Sequence, residues 1–379
     1  MKKISRAVLG SLTAFLMLLQ PAAYAKVNNK VRAHILAKKV QSFTESFVQG
    51  NPVRSIIYGI WVNGFPISVS AMGESMTNVP ATTNLHFRIG GVTQTMLTTL
   101  LMQLVERGVV SLDDRVARWF PTLPNADLVS LQMLANGTSG YPDYIFNDLF
   151  QQVSTILPYK EWTTLELLDY AFMAPPLFPP NTSQHYSHTD SVILGSILSQ
   201  ATNTPFDQLL YLMVLNPLGL GETRFSLAAR MPLPVLNSYS SVRNIYEDST
   251  FWNPSWVSYS GSMFSTIYDL GKWANAWILG SLISPTSTQI LRAPFTVGKG
   301  NNTATLYFAM GFVYANHWLF QNPSFGGYSG IFAVLPEKNM VFIAFNTINS
   351  GDDSNINWSA ALWKQLAKEL APEYPLPPF

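Results

Sequence analysis

Phe87-Arg88-Ile89-Gly90-Gly91-Val92-Thr93-Gln94-Thr95-Met96, followed by Leu97-Thr98-Thr99-Leu100-Leu101-Met102-Gln103-Leu104-Val105-Glu106-Arg107-Gly108, is the stretch on which the fold turns. Leu97, Leu100, Leu101, Leu104 and Val105 recur at helical spacing. Met96 and Met102 lie off that stripe, so most of the helix surface is apolar and the helix belongs inside the protein. Gly108 follows the last periodic residue and supplies a left-handed stop.

Upstream, Val27 to Val48 reads as a helix with Val31, Ile35, Val40 and Phe43 or Phe47 on its apolar side. Ile56 to Val62 and Ile67 to Ala71 read as strands joined by an Asn63-Gly64 hairpin turn. A short strand at Leu85 to Ile89 leads into the central helix. Downstream, Ser111-Leu112-Asp113-Asp114 predicts a short capped helix ending near Phe120-Pro121, and Ser130 caps a second. Leu149 to Leu157 and Thr163 to Met173 read as helices, and the prolines at 175–180 as a loop. Strand patterns return at Leu306 to Tyr314, Gly330 to Leu335 and Met340 to Asn346. Ser354 is placed to cap a last helix, Asn355 to Leu370. Strands therefore open and close the chain with helices between, the order of a sheet lobe carrying an inserted helical lobe.

At the N-terminus, Lys2, Lys3 and Arg6 precede the apolar run Val8 to Leu19, and Ala23-Tyr24-Ala25 offers a small-x-small cleavage site. Residues 1–25 thus read as a secretory signal peptide. The competing reading, an uncleaved anchor, is disfavoured because the run is short for a membrane span. Export implies a periplasmic or secreted protein. There is no Cys, which excludes disulfides and a lipid-modified cysteine. The leader carries three basic residues and no acid, so its removal takes the formal charge from +1 to −2. Neither value gives a reason to bind nucleic acid or an anionic membrane. At 47% hydrophobic and 12% charged residues the chain favours a large packed core over disorder. The expected organisation is one domain over 26–371, with a sheet lobe at about 38–90 and 300–371 and a helical lobe at about 91–299. A Pro-rich tail follows at 372–379.

Three further motifs stand beside the central helix. Asn136-Gly137-Thr138-Ser139-Gly140-Tyr141 is a turn of small polar residues. His185-Tyr186-Ser187-His188-Thr189-Asp190 opens an apolar run and is followed by Pro217-Leu218-Gly219. Ser260-Gly261-Ser262-Met263-Phe264-Ser265-Thr266 leads to Asp269-Leu270, where Asp269 is expected to cap or pin a helix. With Gly327-Tyr328-Ser329, this set resembles the serine β-lactamase, D-alanyl-D-alanine carboxypeptidase and penicillin-binding protein family, over roughly residues 38–371. The resemblance implies an α+β fold, an antiparallel sheet flanked by helices from both termini and carrying an inserted mainly helical lobe.

The resemblance also implies where an acyl-transfer site would lie. The family reads Phe-Arg-Ile-Gly-Ser-x-x-Lys at the central helix, with a nucleophilic serine and a lysine one turn on. Here those positions are Gly91 and Gln94, which supply neither a nucleophile nor a base. Thr93 and Thr95 are nearby hydroxyls off the nucleophile's position. The family's Tyr-x-Asn is Tyr186-Ser187-His188, which keeps the tyrosine. Its third motif, Lys-Thr-Gly or His-x-Gly, falls on Gln321-Asn322-Pro323, where the proline removes a backbone N–H. His188 could act as a base, but it reads as a pocket-lining residue. His185, three residues earlier, and Asp190 form no metal spacing with it.

The sequence thus leads us to expect an exported pseudoenzyme that keeps the fold, with no cofactor and no metal. Tyr186, His188, Gln321 and Asn322 are the expected ligand contacts, and a peptide, a cell-wall fragment or another small molecule the candidate ligand. The alternatives are an active esterase, β-lactamase or D-Ala-D-Ala carboxypeptidase with a displaced nucleophile, and a structural or assembly protein. The last would use exposed aromatics and the tail to contact a partner that the sequence does not identify.

Overall fold

A computed structural model describes residues 34–352 and 356–378. The leader reading at 1–25, and the part of the first predicted helix before residue 34, lie outside the described residues. Helix α1 runs through 34–49. It is followed by β1 (Val53–Val62), β2 (Phe65–Met76) and β3 (Val79–Pro80). The remaining strands of the main sheet come from the other end of the chain: β4 (Leu306–Phe308), β5 (Val313–Ala315), β6 (Trp318–Gln321), β7 (Ser324–Phe325), β8 (Tyr328–Leu335) and β9 (Met340–Ile348). They form one antiparallel sheet in the order β3-β2-β1-β9-β8-β6-β5-β4, with β7 paired to β8.

The β1–β2 hairpin closes at Asn63 and Gly64, both at positive φ, so the two-residue turn follows the twist of its strands. The central strands are buried on both sides because alternate side chains serve different cores. Ile56, Tyr58 and Ile60 of β1, with Ile331 and Ala333 of β8, face α1 and the final helix α5 (Trp358–Leu370). Ile57 and Trp61 of β1, with Phe332 and Val334 of β8, face the helical lobe. That lobe is built on α2 (Val92–Glu106), α3 (His188–Thr202) and α4 (Ile267–Leu279). Every residue of α2 from Val92 to Leu104 is buried, as its apolar circumference requires.

Several local expectations are corrected. Ser111-Leu112-Asp113-Asp114 starts no α-helix. Asp114 accepts the Ser111 N–H and the chain makes only a 3-10 turn at Val116–Arg118. The strand at Leu306 to Tyr314 is two strands, broken at Gly311 (φ 81°), where a Cβ would lie 2.9 Å from the Gln94 carbonyl oxygen. Strand β6 was not read from the sequence. The last helix is capped by Asn357, whose Oδ1 accepts the Ala360 N–H; the predicted cap Ser354 lies outside the described residues. Asp269 pins its helix, accepting from the Glu222 N–H, the Thr223 hydroxyl and Lys272. The tail folds back, with Tyr374 and Leu376 against the α1–α5 core and the Trp318 indole donating to the Tyr374 carbonyl.

Sheet and helical lobe interlock at Trp61, which sits in a notch between Gly59 and Gly271. A Cβ at Gly271 would lie 2.6 Å from the Trp61 ring. Gly271→Ala should therefore lower stability by about 1–3 kcal/mol despite the better helix propensity of alanine. Urea unfolding checks this, and an unchanged midpoint would rule out the tight notch.

Candidate functional site

The Phe87–Arg88 strand pairs with Met263–Ser265, so the motif before α2 and the motif before α4 meet in a small sheet of their own. The buried Arg88 guanidinium donates to the carbonyls of Ser262, Ala228 and Ala229. Burial pulls its pKa down to about 10. This arginine is a clamp, not a substrate ligand. Gly90 (φ 48°) then turns the chain against β7, where a Cβ would meet Pro323 at 2.7 Å. Gly91 is the N-cap of α2 and offers no side chain to cap it.

Tertiary structure brings Gly91, Gln94, Tyr186, His188 and Gln321 to neighbouring positions. Gln94 Nε2 donates to the Tyr186 hydroxyl at 2.5 Å. Burial, and secondarily the Asp143 carboxylate, push the Tyr186 phenol well above its ordinary value, while the Gln94 bond opposes them. The Gln321 amide donates to the Gly311 carbonyl at 2.6 Å. Its Oε1 lies 2.8 Å from where a Cβ at Gly91 would sit. The space that a serine side chain at this position would need is thus held by the end of the Gln321 side chain. His188 is fixed by Asp143, whose Oδ2 meets both Nδ1 (2.8 Å) and the His188 backbone N–H (3.1 Å). The ring packs edge-on to Tyr186 at 5.0 Å.

The expected ligand contacts are not all assembled. Asn322 follows β6, exposed, and its carbonyl accepts from Asn357 at the start of α5. The void beside Gln94 and Tyr186 is about 10 Å³, the size of one water. Above it, Tyr186 packs edge-on to Phe308, and Trp256 stacks on Phe325 across the lobes at 5.5 Å. Beside Gln94 and Tyr186 there is room for about one water, whereas Asp143, the partner of His188, lines a cavity of about 280 Å³.

Neither spare hydroxyl is presented to solvent. Thr95 donates to the Val92 carbonyl and accepts from the Trp273 indole. Thr93 is fully buried and its hydroxyl has no partner among the described residues. His185 packs edge-on to Phe146, and no metal-holding group of His, Asp and Glu occurs among the described residues.

Sequence reasoning missed Asp190 as a site residue. Its carboxyl is fully buried beside Gln94 and Tyr186, receives the Ser139 hydroxyl at 2.6 Å on Oδ1, and leaves Oδ2 unpartnered. Burial drives its pKa well above the usual carboxylate range. The available signal was an acid near the start of an otherwise apolar helix.

The beta-lactamase family profile matches residues 40–366. The chain belongs to the beta-lactamase family. It is 23% identical over 292 residues to beta-lactamase-like protein 2 of Dictyostelium discoideum, covering 75% of this chain and 51% of that protein. It is 24% identical over 250 residues to penicillin-binding protein 4* of Bacillus subtilis, covering 62% and 54%. The chain thus spans about half the length of these curated relatives. Among solved structures, a D-stereospecific amidohydrolase from Streptomyces sp. superposes with a TM-score of 0.77 at 22% identity, covering 89% of this chain and 99% of that one. This is the fold that the motifs implied, an α+β member of the beta-lactamase family with α1 and α5 packed on the sheet.

Proposed function

We propose that this protein is an exported, non-hydrolytic member of the beta-lactamase family, a scaffold in which serine acyl transfer has been dismantled. The carrying observation is the Gln321 amide in the space of the missing serine side chain, 2.8 Å from a Cβ built on Gly91. Acyl transfer needs a nucleophile beside a base, with room for a carbonyl between them and the oxyanion donors. Glycine supplies no nucleophile. Gln94 donates an amide hydrogen to Tyr186 where the family's lysine would supply a titrating amine. The export half of the reading is supported by the leader pattern at 1–25.

A displaced-nucleophile hydrolase draws its support from the Asp143–His188 pair, which has the form of an oriented base. Among the described residues, however, no serine or threonine hydroxyl is bonded to His188, and Thr93 and Thr95 are buried. The purified chain should show no labelling by a fluorophosphonate or a fluorescent penicillin, and no turnover of a chromogenic cephalosporin or of short p-nitrophenyl esters. Stoichiometric labelling would overturn the proposal, and the labelled peptide would identify the nucleophile.

A further inference from the structure

A second cavity, of about 400 Å³, opens at the end of the sheet, between β7, β8, the end of β9 and the hairpin that pairs Tyr239–Ser240 with Glu247–Asp248. It shares no lining residue with the void at Gln94. Side chains alternate along β7. Pro323 and Phe325 face Gly90, and Ser324 between them faces the cavity.

Ser241, from the hairpin, and Ser324 and Ser329, cross-strand partners on β7 and β8, line this cavity. The hydroxyl of each makes no hydrogen bond among the described residues. A serine hydroxyl both donates and accepts, so three unengaged ones match a ligand whose own groups also do both. Val242, Ile348 and Ile356 add apolar surface beside Tyr239 and Ser240. Among the described residues, Asp352, held by the Trp358 indole at 2.8 Å, is the one carboxylate of the lining, and no cation lines it. That charge pattern disfavours phosphates and carboxylates. Tyr239 is clamped between Arg54 (4.6 Å) and the Tyr246 ring (5.2 Å), so the hairpin wall is pre-organised. Neutral ligands with apolar C–H faces and several hydroxyls meet all of these conditions.

We propose that this cavity binds a neutral saccharide, one or two sugar units long, through Ser241, Ser324 and Ser329, with the sugar's C–H face on Val242 and Ile356. The volume lies within the range of small-molecule sites. The proposal does not depend on the state of the family site, because the two share no residue.

Saturation-transfer NMR on the full chain, with cellobiose, maltose, chitobiose and mannobiose each titrated through about 1–10 mM, tests it in the affinity range of a few polar contacts. At least one disaccharide should give saturable transfer. The Ser241→Ala/Ser324→Ala variant should weaken it at least about tenfold, the loss of roughly 1.4 kcal/mol. Ser324→Tyr, which plugs the mouth at an exposed position, should abolish it with the melting temperature unchanged. Gly91→Ser/Gln94→Lys should leave it as it is. Absent or non-saturable transfer for all four sugars would overturn the proposal. So would transfer that Ser324→Tyr leaves intact.

Discussion

Gly91→Ser/Gln94→Lys should remain unlabelled by a fluorophosphonate, and adding Gln321→Ala should switch labelling on. The first two changes restore a hydroxyl and an amine one helical turn apart. A hydroxyl built on Gly91, however, meets the Gln321 Oε1, whose amide is held in place by the Nε2 hydrogen bond to the Gly311 carbonyl. The serine would then form a hydrogen bond with that oxygen instead of attacking a substrate. Removing the Gln321 side chain empties the space, and Tyr186 is already beside the position of the amine. Intact protein mass spectrometry should show the triple variant labelling at least about 100-fold faster than the double variant, the lower end of what a positioned base contributes. Equal rates in the two would mean that Gln321 is no plug. Labelling of the parent chain would remove the basis of the proposed function.

Asp190→Asn should raise stability at neutral pH and flatten its dependence on pH. The carboxyl is buried and its pKa in the folded state lies well above its unfolded value of about 3.9. The folded state therefore holds a proton that the unfolded state releases. Stability from this group is fully present below the unfolded pKa and is lost as pH rises towards the folded one. The slope from this one group is at most about 1.4 kcal/mol per pH unit. Asparagine is neutral throughout and its Oδ1 can still accept the Ser139 hydroxyl. Urea titrations between pH 5 and 8 should show the parent losing stability with pH and the variant losing less. Parallel curves would show that Asp190 is ionised in the folded protein and that its Oδ2 has found a partner.

Much of the fold was legible because local chemistry and tertiary environment agree. The Asn63-Gly64 turn, the Ser130 cap with Gly137 behind it and the apolar stripe of α2 each need only neighbours in sequence. The failures have a common cause. Ser111 to Asp114 satisfied its own backbone in a turn, and Gly311 broke a strand to let α2 approach. In each case a short-range signal was real but the partner that decided its use lay elsewhere in the chain.

The sequence alone determined the family, the α+β architecture and the absence of a serine and a lysine at positions 91 and 94, because these rest on residue identity and spacing. Only the tertiary structure decided what replaced the lost chemistry. Gln321 comes from a strand 230 residues beyond Gly91, Phe308 packs on Tyr186, and Asp190 sits buried with one oxygen unpartnered among the described residues. Whether a vacated position is filled or left open depends on the volume of side chains that meet there, and volume in a close-packed interior is a property of the assembled chain.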